Sequence, residues 1–284
     1  MVHRALALCI LVAAWPAAGQ ETAPFSQEAL ATVAPASSPT SPKLALADQE
    51  QFLVNGRIEK VRGVRKGVTG TQRATLSDGV LTHDASIQTI DESKARYETA
   101  RRLEFNFRDY WGYNVAAYRL GVMLGMDMIP PSVLRLYGTQ RASFTWWIDD
   151  VMMDEMERQK RKVSPPNMAP WNEQLHILRV FDELIANTDR NQGNMLIDSR
   201  WKLWLIDHSR AFRTSSDLQK PRSVRRCERT LLAKMKQLTL EGLQVQLDDY
   251  LTEHEIKTML VRRDKLVAHV EALGPAALYD FIPK

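Results

Sequence analysis

The chain has 284 residues, 44% of them hydrophobic and 25% charged, with a formal net charge of +4. These are ordinary globular values, and they allow a sizeable core in one large domain or two small lobes. The positive excess is mild. With no RNA-recognition signature, zinc-finger spacing or long basic stripe beside it, no nucleic-acid partner is expected.

Met1–Arg4 is short and basic, Ala5–Trp15 is apolar, and Ala17–Gln20 offers small residues for cleavage after Gly19. Residues 1–19 therefore read as a secretory signal peptide, with an uncleaved anchor as the rival. The apolar run is about half of the roughly 20 residues a bilayer span needs. The mature chain is thus expected to be exported, periplasmic or secreted, without a transmembrane span. Cleavage would remove Cys9 and leave Cys227 with no cysteine to pair with. Cys227 stands among Arg225, Arg226 and Arg229, a setting that can lower a thiol pKa, although a plain structural cysteine fits as well.

Residues 20–46, rich in Ala, Pro, Ser and Thr, read as a flexible linker, with structure beginning near Gln51. "FLVNGRIEKVRGV" is the first strand candidate. "GTQRATLSDG" alternates like a strand and ends in an Asp-Gly turn, and "VLTHDASIQTID" returns as its hairpin partner. A helix is expected over about 107–125, with Trp111, Val115, Tyr118 and Val122 at helical spacing. Pro130-Pro131 ends anything helical. "SVLRLYG" and "RASFTWWID" read as two more strands. From Asp150 onward helices dominate: "APWNEQLHILRVFDELIANT", with Trp171, Leu175, Leu178, Phe181 and Ile185 on one face, then about 228–240 and 252–272. The fold class is α+β, with a β-rich half holding one main helix (47–150) and a mainly helical half (151–284).

The stretch "NTDRNQGNMLIDSRWKLWLIDHSRAF" carries the chemistry. "NMLID" and "WKLWLID" read as short strands joined by a turn at Asp198–Arg200. Such a hairpin brings Asn194 near Asp207, while Asp189 sits on the loop leading in. Two oxygen ligands, Asn194 and Asp207, can hold Mg²⁺ together with water and substrate phosphates. A third group, Asp189, can accept a proton from a nucleophile or orient it, as phosphoryl transfer requires. The bland alternative is a polar helix-to-strand connection with incidental aspartates.

"DRNQGN…IDHSRAF" resembles the catalytic and metal-binding loops of the atypical kinases: the phosphoinositide 3/4-kinase-like group, the HipA-type kinases and the secreted FAM20 kinases. "YNVAAYRLGVMLGMDMIPPSV" also resembles the helix and Pro-Pro turn of the FAM20 N-lobe. The resemblance implies a bilobal protein-kinase-like fold with ATP, and Mg²⁺ or Mn²⁺, in the cleft. It implies a catalytic role for Asp189 and metal binding by Asn194 and Asp207. The acceptor it leaves open is a protein, sugar or lipid hydroxyl.

The same comparison points to further residues. "KGVTGTQR" can offer backbone N–H groups from Gly67 and Gly70, with Lys66, Thr71 and Arg73, to phosphates, or be a plain hairpin turn. Gln88 stands where typical kinases carry the lysine of Val-Ala-Ile-Lys, and Asn114 where its glutamate partner is expected. A neutral amide pair thus replaces an ion pair, unless Lys66, Arg73 or Lys94 supplies the missing cation. Trp146 or Trp147 can stack on adenine or simply pack in the core. His83 and His176 read as structural. The arginines of "QKPRSVRRCER" can attract an acidic or phosphorylated substrate, or form a solvated face. An exported ATP-dependent phosphotransferase is the leading expectation. A pseudokinase that binds nucleotide or a partner protein without catalysis is the alternative.

Overall fold

The computed structural model describes residues 44–64, 70–99 and 102–281. The expected signal peptide, nearly all of the expected linker, and Lys66 and Gly67 lie outside the described residues.

The chain opens with helix α1 (Leu46–Asn55), not with a strand. Phe52 and Leu53, which look like strand residues in sequence, are the buried positions of that helix. Gly56 ends it, and Arg135 holds the carbonyls of Leu53 and Gly56 from a neighbouring strand (3.1 and 2.7 Å).

Strands β1 (Arg57–Gly63), β2 (Gln72–Ser77) and β3 (Thr82–Gln88) follow. The β2–β3 turn is fixed by Asp78, whose Oδ1 accepts from the backbone of Val80 and Leu81 (2.9 and 2.8 Å), and by Gly79 at φ 91°. A second hairpin, β4 (Asp91–Thr99) and β5 (Arg102–Tyr110), comes next, and only then helix α2 (Gly112–Leu124). The helix expected from about 107 therefore starts later, because 107–110 belong to β5. Trp111, Val115 and Tyr118 are buried as their spacing suggests, but Val122 is exposed. Gly125 closes α2 in the left-handed conformation (φ 73°), and a side chain there would meet Lys234.

Strands β6 (Ser132–Tyr137) and β7 (Gln140–Trp146) complete an antiparallel sheet of order β1-β2-β3-β7-β6. Its alternation buries Ala74, Leu76, Ala85 and Ile87, which pack with Phe52, Leu53, Val133, Ala142 and Phe144 into one small core.

Strand β8 (Val151–Asp154) leads through an Asp154 cap into α3 (Glu155–Arg161). Helix α4 (Met168–Leu184) follows, with Trp171, Leu178 and Phe181 buried and Leu175 half-buried. Strands β9 (Met195–Asp198) and β10 (Leu203–Leu205) pair as expected, and β8 joins them in an antiparallel β10-β9-β8 sheet. A two-residue strand β11 (Cys227–Glu228) precedes α5 (Arg229–Gln237), α6 (Leu240–Leu247) and α7 (Glu253–Ala272), and pairs in parallel with β12 (Leu278–Tyr279). The larger core joins α2 to α4–α7 and to β9 and β10. Cys227 lies in that core, and burial pushes its thiol up to about 12, which removes the reactive reading. Among the described residues no helix is long and apolar enough to cross a membrane.

Candidate functional site

The loop after α4 is held from inside by Arg190. Its guanidinium takes the Asp182 carboxylate of α4 with two nitrogens (3.1 Å each) and donates to the carbonyls of Asn194 (3.2 Å) and Ile206 (2.7 Å). One buried fork therefore ties the end of α4 to both polar stretches of the β9–β10 hairpin. Asn187 adds to it, donating to Asp182 (3.1 Å) and accepting from the backbone of Asp189 (3.3 Å). Asn191 caps a short 3-10 turn over Gln192–Asn194 through the Gly193 amide (2.9 Å). The Ile206 amide donates to the Asn194 carbonyl (3.1 Å), which sets Asn194 beside the residue preceding Asp207. The sequence singles out neither Arg190 nor Asp182, although Arg190 adjoins Asp189 and its need for a buried counter-charge is a general signal.

Asp207 adopts φ 54°, a strained value for a non-glycine residue that turns the chain sharply after β10. Its Oδ1 accepts from Ser209 Oγ (3.1 Å) and from Gln88 Nε2 (3.4 Å). Gln88 also donates to Thr71 Oγ1 (3.0 Å), while its Oε1 accepts from Asn114 Nδ2 (2.5 Å). Asn114 Oδ1 in turn accepts from the His208 backbone (2.8 Å). The two amides thus face each other as the sequence comparison suggests, and they do more than replace an ion pair. They form a relay from β3, through α2, to the backbone that carries Asp207. Burial, with the Arg190 charge nearby, pulls the His208 imidazole well below its usual range, so this ring is neutral at physiological pH.

Asp189 is partly exposed, and its Oδ2 accepts from Arg210 Nη1 (3.0 Å). Arg210 also donates through Nε to the buried Asp109 of β5 (3.0 Å) and lies over the Phe107 ring (4.8 Å). Arg210 and Asp109 are members of the site that sequence reading missed. Only their neighbourhood was visible, in "SRAF".

Of the expected cations, Arg73 and Lys94 are engaged. Arg73 pairs with Asp84 (2.5 Å) and stacks over Trp147 (4.1 Å). Asp84 also accepts from Thr75 (2.6 Å), and these partners hold its carboxyl below the usual range despite burial. Lys94 pairs with Glu92 (2.5 Å) and lies over Tyr97 (5.0 Å). Trp146 packs on His83 (3.7 Å) and edge-on against Phe52, whereas Trp147 touches Arg73. Gly70 is left-handed (φ 66°) with open space around it, next to Thr71. The structure therefore brings together Thr71, Gln88, Asn114 and Asp207, and separately Asp189 with Arg210. Arg73 and Trp147 form a neighbouring pair.

A hard divalent cation takes oxygen ligands. The Asp207 carboxylate and the Asn194 amide are such donors, and the Asn194 side chain makes no hydrogen bond with any described residue, so the donor chemistry fits Mg²⁺ or Mn²⁺. Among the described residues no group of three or more His, Cys, Asp or Glu gathers as a ligand set. Any cation here relies on the amide and on ligand oxygens.

No protein-family model matches the sequence, and no curated protein matches it. Solved structures do. A Golgi casein kinase with Mn and ADP bound superposes over 81% of this chain and 76% of its own, at TM-score 0.61 and 13% identity. The hydra Fam20 structure with sugar covers 83% and 92%, at TM-score 0.64 and 12% identity. A further Golgi casein kinase structure covers 80% and 76%, at TM-score 0.59 and 13% identity.

Proposed function

We propose that this chain, whose fold is that of the atypical protein kinases, is an exported ATP-dependent phosphotransferase acting on a hydroxyl acceptor. The observation that carries this reading is the placement of Asp207. A strained backbone presents its carboxylate, Gln88 of β3 contacts it, and the relay through Asn114 of α2 fixes the adjoining backbone. On this reading the chain is bilobal, 47–150 against 151–284, with nucleotide between the two parts.

Asp207 and Asn194 would hold Mg²⁺ or Mn²⁺, and the cation bound with ATP would supply charge neutralisation at the phosphates. Thr71 and Gly70 would face the phosphates, and Lys66 and Gly67, outside the described residues, are proposed to join them. Gln88 contributes a neutral donor in place of an ammonium. Trp147, backed by Arg73, offers a face to the base. Asp189 receives or orients the acceptor hydroxyl's proton through Oδ1, because Arg210 occupies Oδ2. In the transfer the acceptor oxygen bonds to the γ-phosphorus, the bond to the ADP oxygen breaks, and the hydroxyl proton passes to Asp189.

A pseudokinase is the second reading. The neutral Gln88–Asn114 pair and the partly neutralised Asp189 favour it. Thermal shift with ATP, with and without Mn²⁺, tests nucleotide binding, and incubation with labelled ATP followed by a search for labelled species tests transfer. A Mn²⁺-dependent shift with no transfer selects the second reading; no shift at all removes the phosphotransferase and leaves of the second reading only a partner-binding pseudokinase.

A further inference from the structure

The segment after the metal-site loop forms an ordered basic strip along α4. The backbone amides of Gln219 and Lys220 both donate to the Glu183 carboxylate near the C-terminal end of α4 (2.8 and 2.7 Å). At the other end, β11 pairs with β12, and the Tyr279 hydroxyl donates to the Glu173 carbonyl near the N-terminal end of α4 (2.7 Å). The segment therefore runs antiparallel to the helix. Val224 and Cys227 are its buried anchors, and His269 Nε2 lies 2.9 Å from the Val224 carbonyl.

With those anchors turned inward, Lys220, Arg222, Arg225 and Arg226 are exposed. Arg226 lies over the Tyr279 ring (4.9 Å), which neighbours His176 (6.0 Å), and His176 Nδ1 is 3.4 Å from Arg179 of α4. Burial, then the charges of Arg179 and Arg226, pull the His176 pKa down. No described carboxylate forms an ion pair with Lys220, Arg179, Arg222, Arg225 or Arg226. Of the carboxylates nearby, Glu183 and Glu228 accept backbone amides and Asp280 pairs with Arg229, while the Glu173 and Glu228 charges raise the pKa of Tyr279.

We infer that this strip is a docking surface for an extended acidic segment of a partner protein. From Glu183 to Glu173 the helix rises about 15 Å at about 1.5 Å per residue. That length matches roughly four to five residues of an extended peptide at about 3.3 Å each. The backbone anchors pre-order the segment, so association does not have to order it. Unlike the proposed function, this inference does not depend on phosphoryl transfer.

Fluorescence anisotropy of the full chain with a labelled octaglutamate peptide, and with octalysine as control, tests it. The chain should bind octaglutamate and not octalysine. Arg225→Gln with Arg226→Gln should weaken octaglutamate binding by roughly tenfold. Arg57→Gln with Lys60→Gln, which removes equal charge from exposed positions on β1, should leave it unchanged. Absence of octaglutamate binding, or an equal loss in the β1 variant, overturns the inference. Thermal shift with Mn-ATP on the same samples reports the nucleotide reading separately.

Discussion

Three residues of the candidate site stand out in the sequence because their chemistry is expensive to place at random. Asp189, Asn194 and Asp207 are polar groups flanking an apolar hairpin, and the structure sets Asn194 and Asp207 by its open end with Asp189 on the loop leading in. If Asp207 holds the cation, Asp207→Ala should abolish the Mn²⁺-dependent thermal shift with ATP, whereas Asp189→Ala should keep it and lose transfer by about 100-fold or more. An unchanged shift in Asp207→Ala removes the metal assignment. His208 shows what was not legible: nothing in the sequence marks it as the buried, neutral ring that follows Asp207. Its folded pKa is depressed, so below the unfolded value of about 6.5 the unfolded chain binds a proton that the folded chain does not. Stability is therefore retained above about pH 6.5 and lost as pH falls. Between pH 7.5 and 5.5, urea unfolding of the parent should lose more stability than that of His208→Gln. Equal losses would mean that His208 titrates normally in the fold.

At the scale of elements, periodicity was a good guide wherever one face is buried. β2, β3, β6, β7 and α4 all lie where their patterns place them, because each packs an apolar face on a core. The failures have two causes. The β4–β5 hairpin alternates charge with charge, "DESKARYET" against "RLEFNFRDY", and buries little besides Phe107 and Asp109, so no apolar period marks it. Helix α1 starts at Ala45 without a side-chain cap, and so lacks a start signal. The hairpin's end nevertheless serves the site. Asp109 fixes Arg210, which holds Asp189, and Arg213 of the same loop pairs with Glu104. Asp109→Ala should therefore destabilise the chain by about 1–3 kcal/mol, since Arg210 loses its buried partner. It should also lower transfer more than nucleotide binding, since Asp189 loses its brace while Asp207 keeps its contacts. A variant with parental stability and parental transfer would show that the hairpin does not support the site.

For the whole molecule the question is what makes two apolar cores of unequal size behave as one protein. The core around β1-β2-β3-β7-β6 is small, and the core shared by α2 and α4–α7 is far larger. Helix α2 belongs to the larger core through Val115, Ala116, Ala117 and Leu120, yet its Asn114 reaches Gln88 on the sheet and the His208 backbone on the loop after β10. Polar relays of this kind contribute little net stability but determine which arrangement is unique, because any alternative leaves buried groups unsatisfied. Asn114→Ala strands the Gln88 carbonyl and the His208 amide, at about 1–3 kcal/mol for each group left unpaired. The effect should also be uneven. Local opening follows the smaller core, so amide hydrogen exchange in β2, β3 and residues 207–209 should accelerate by roughly tenfold or more, while α4 and α7 should keep parental protection. Uniform acceleration across the chain would mean that Asn114 stabilises the fold globally and that no relay couples the sheet to the loop. Parental exchange in β3 would mean that the amide pair contributes nothing to that coupling.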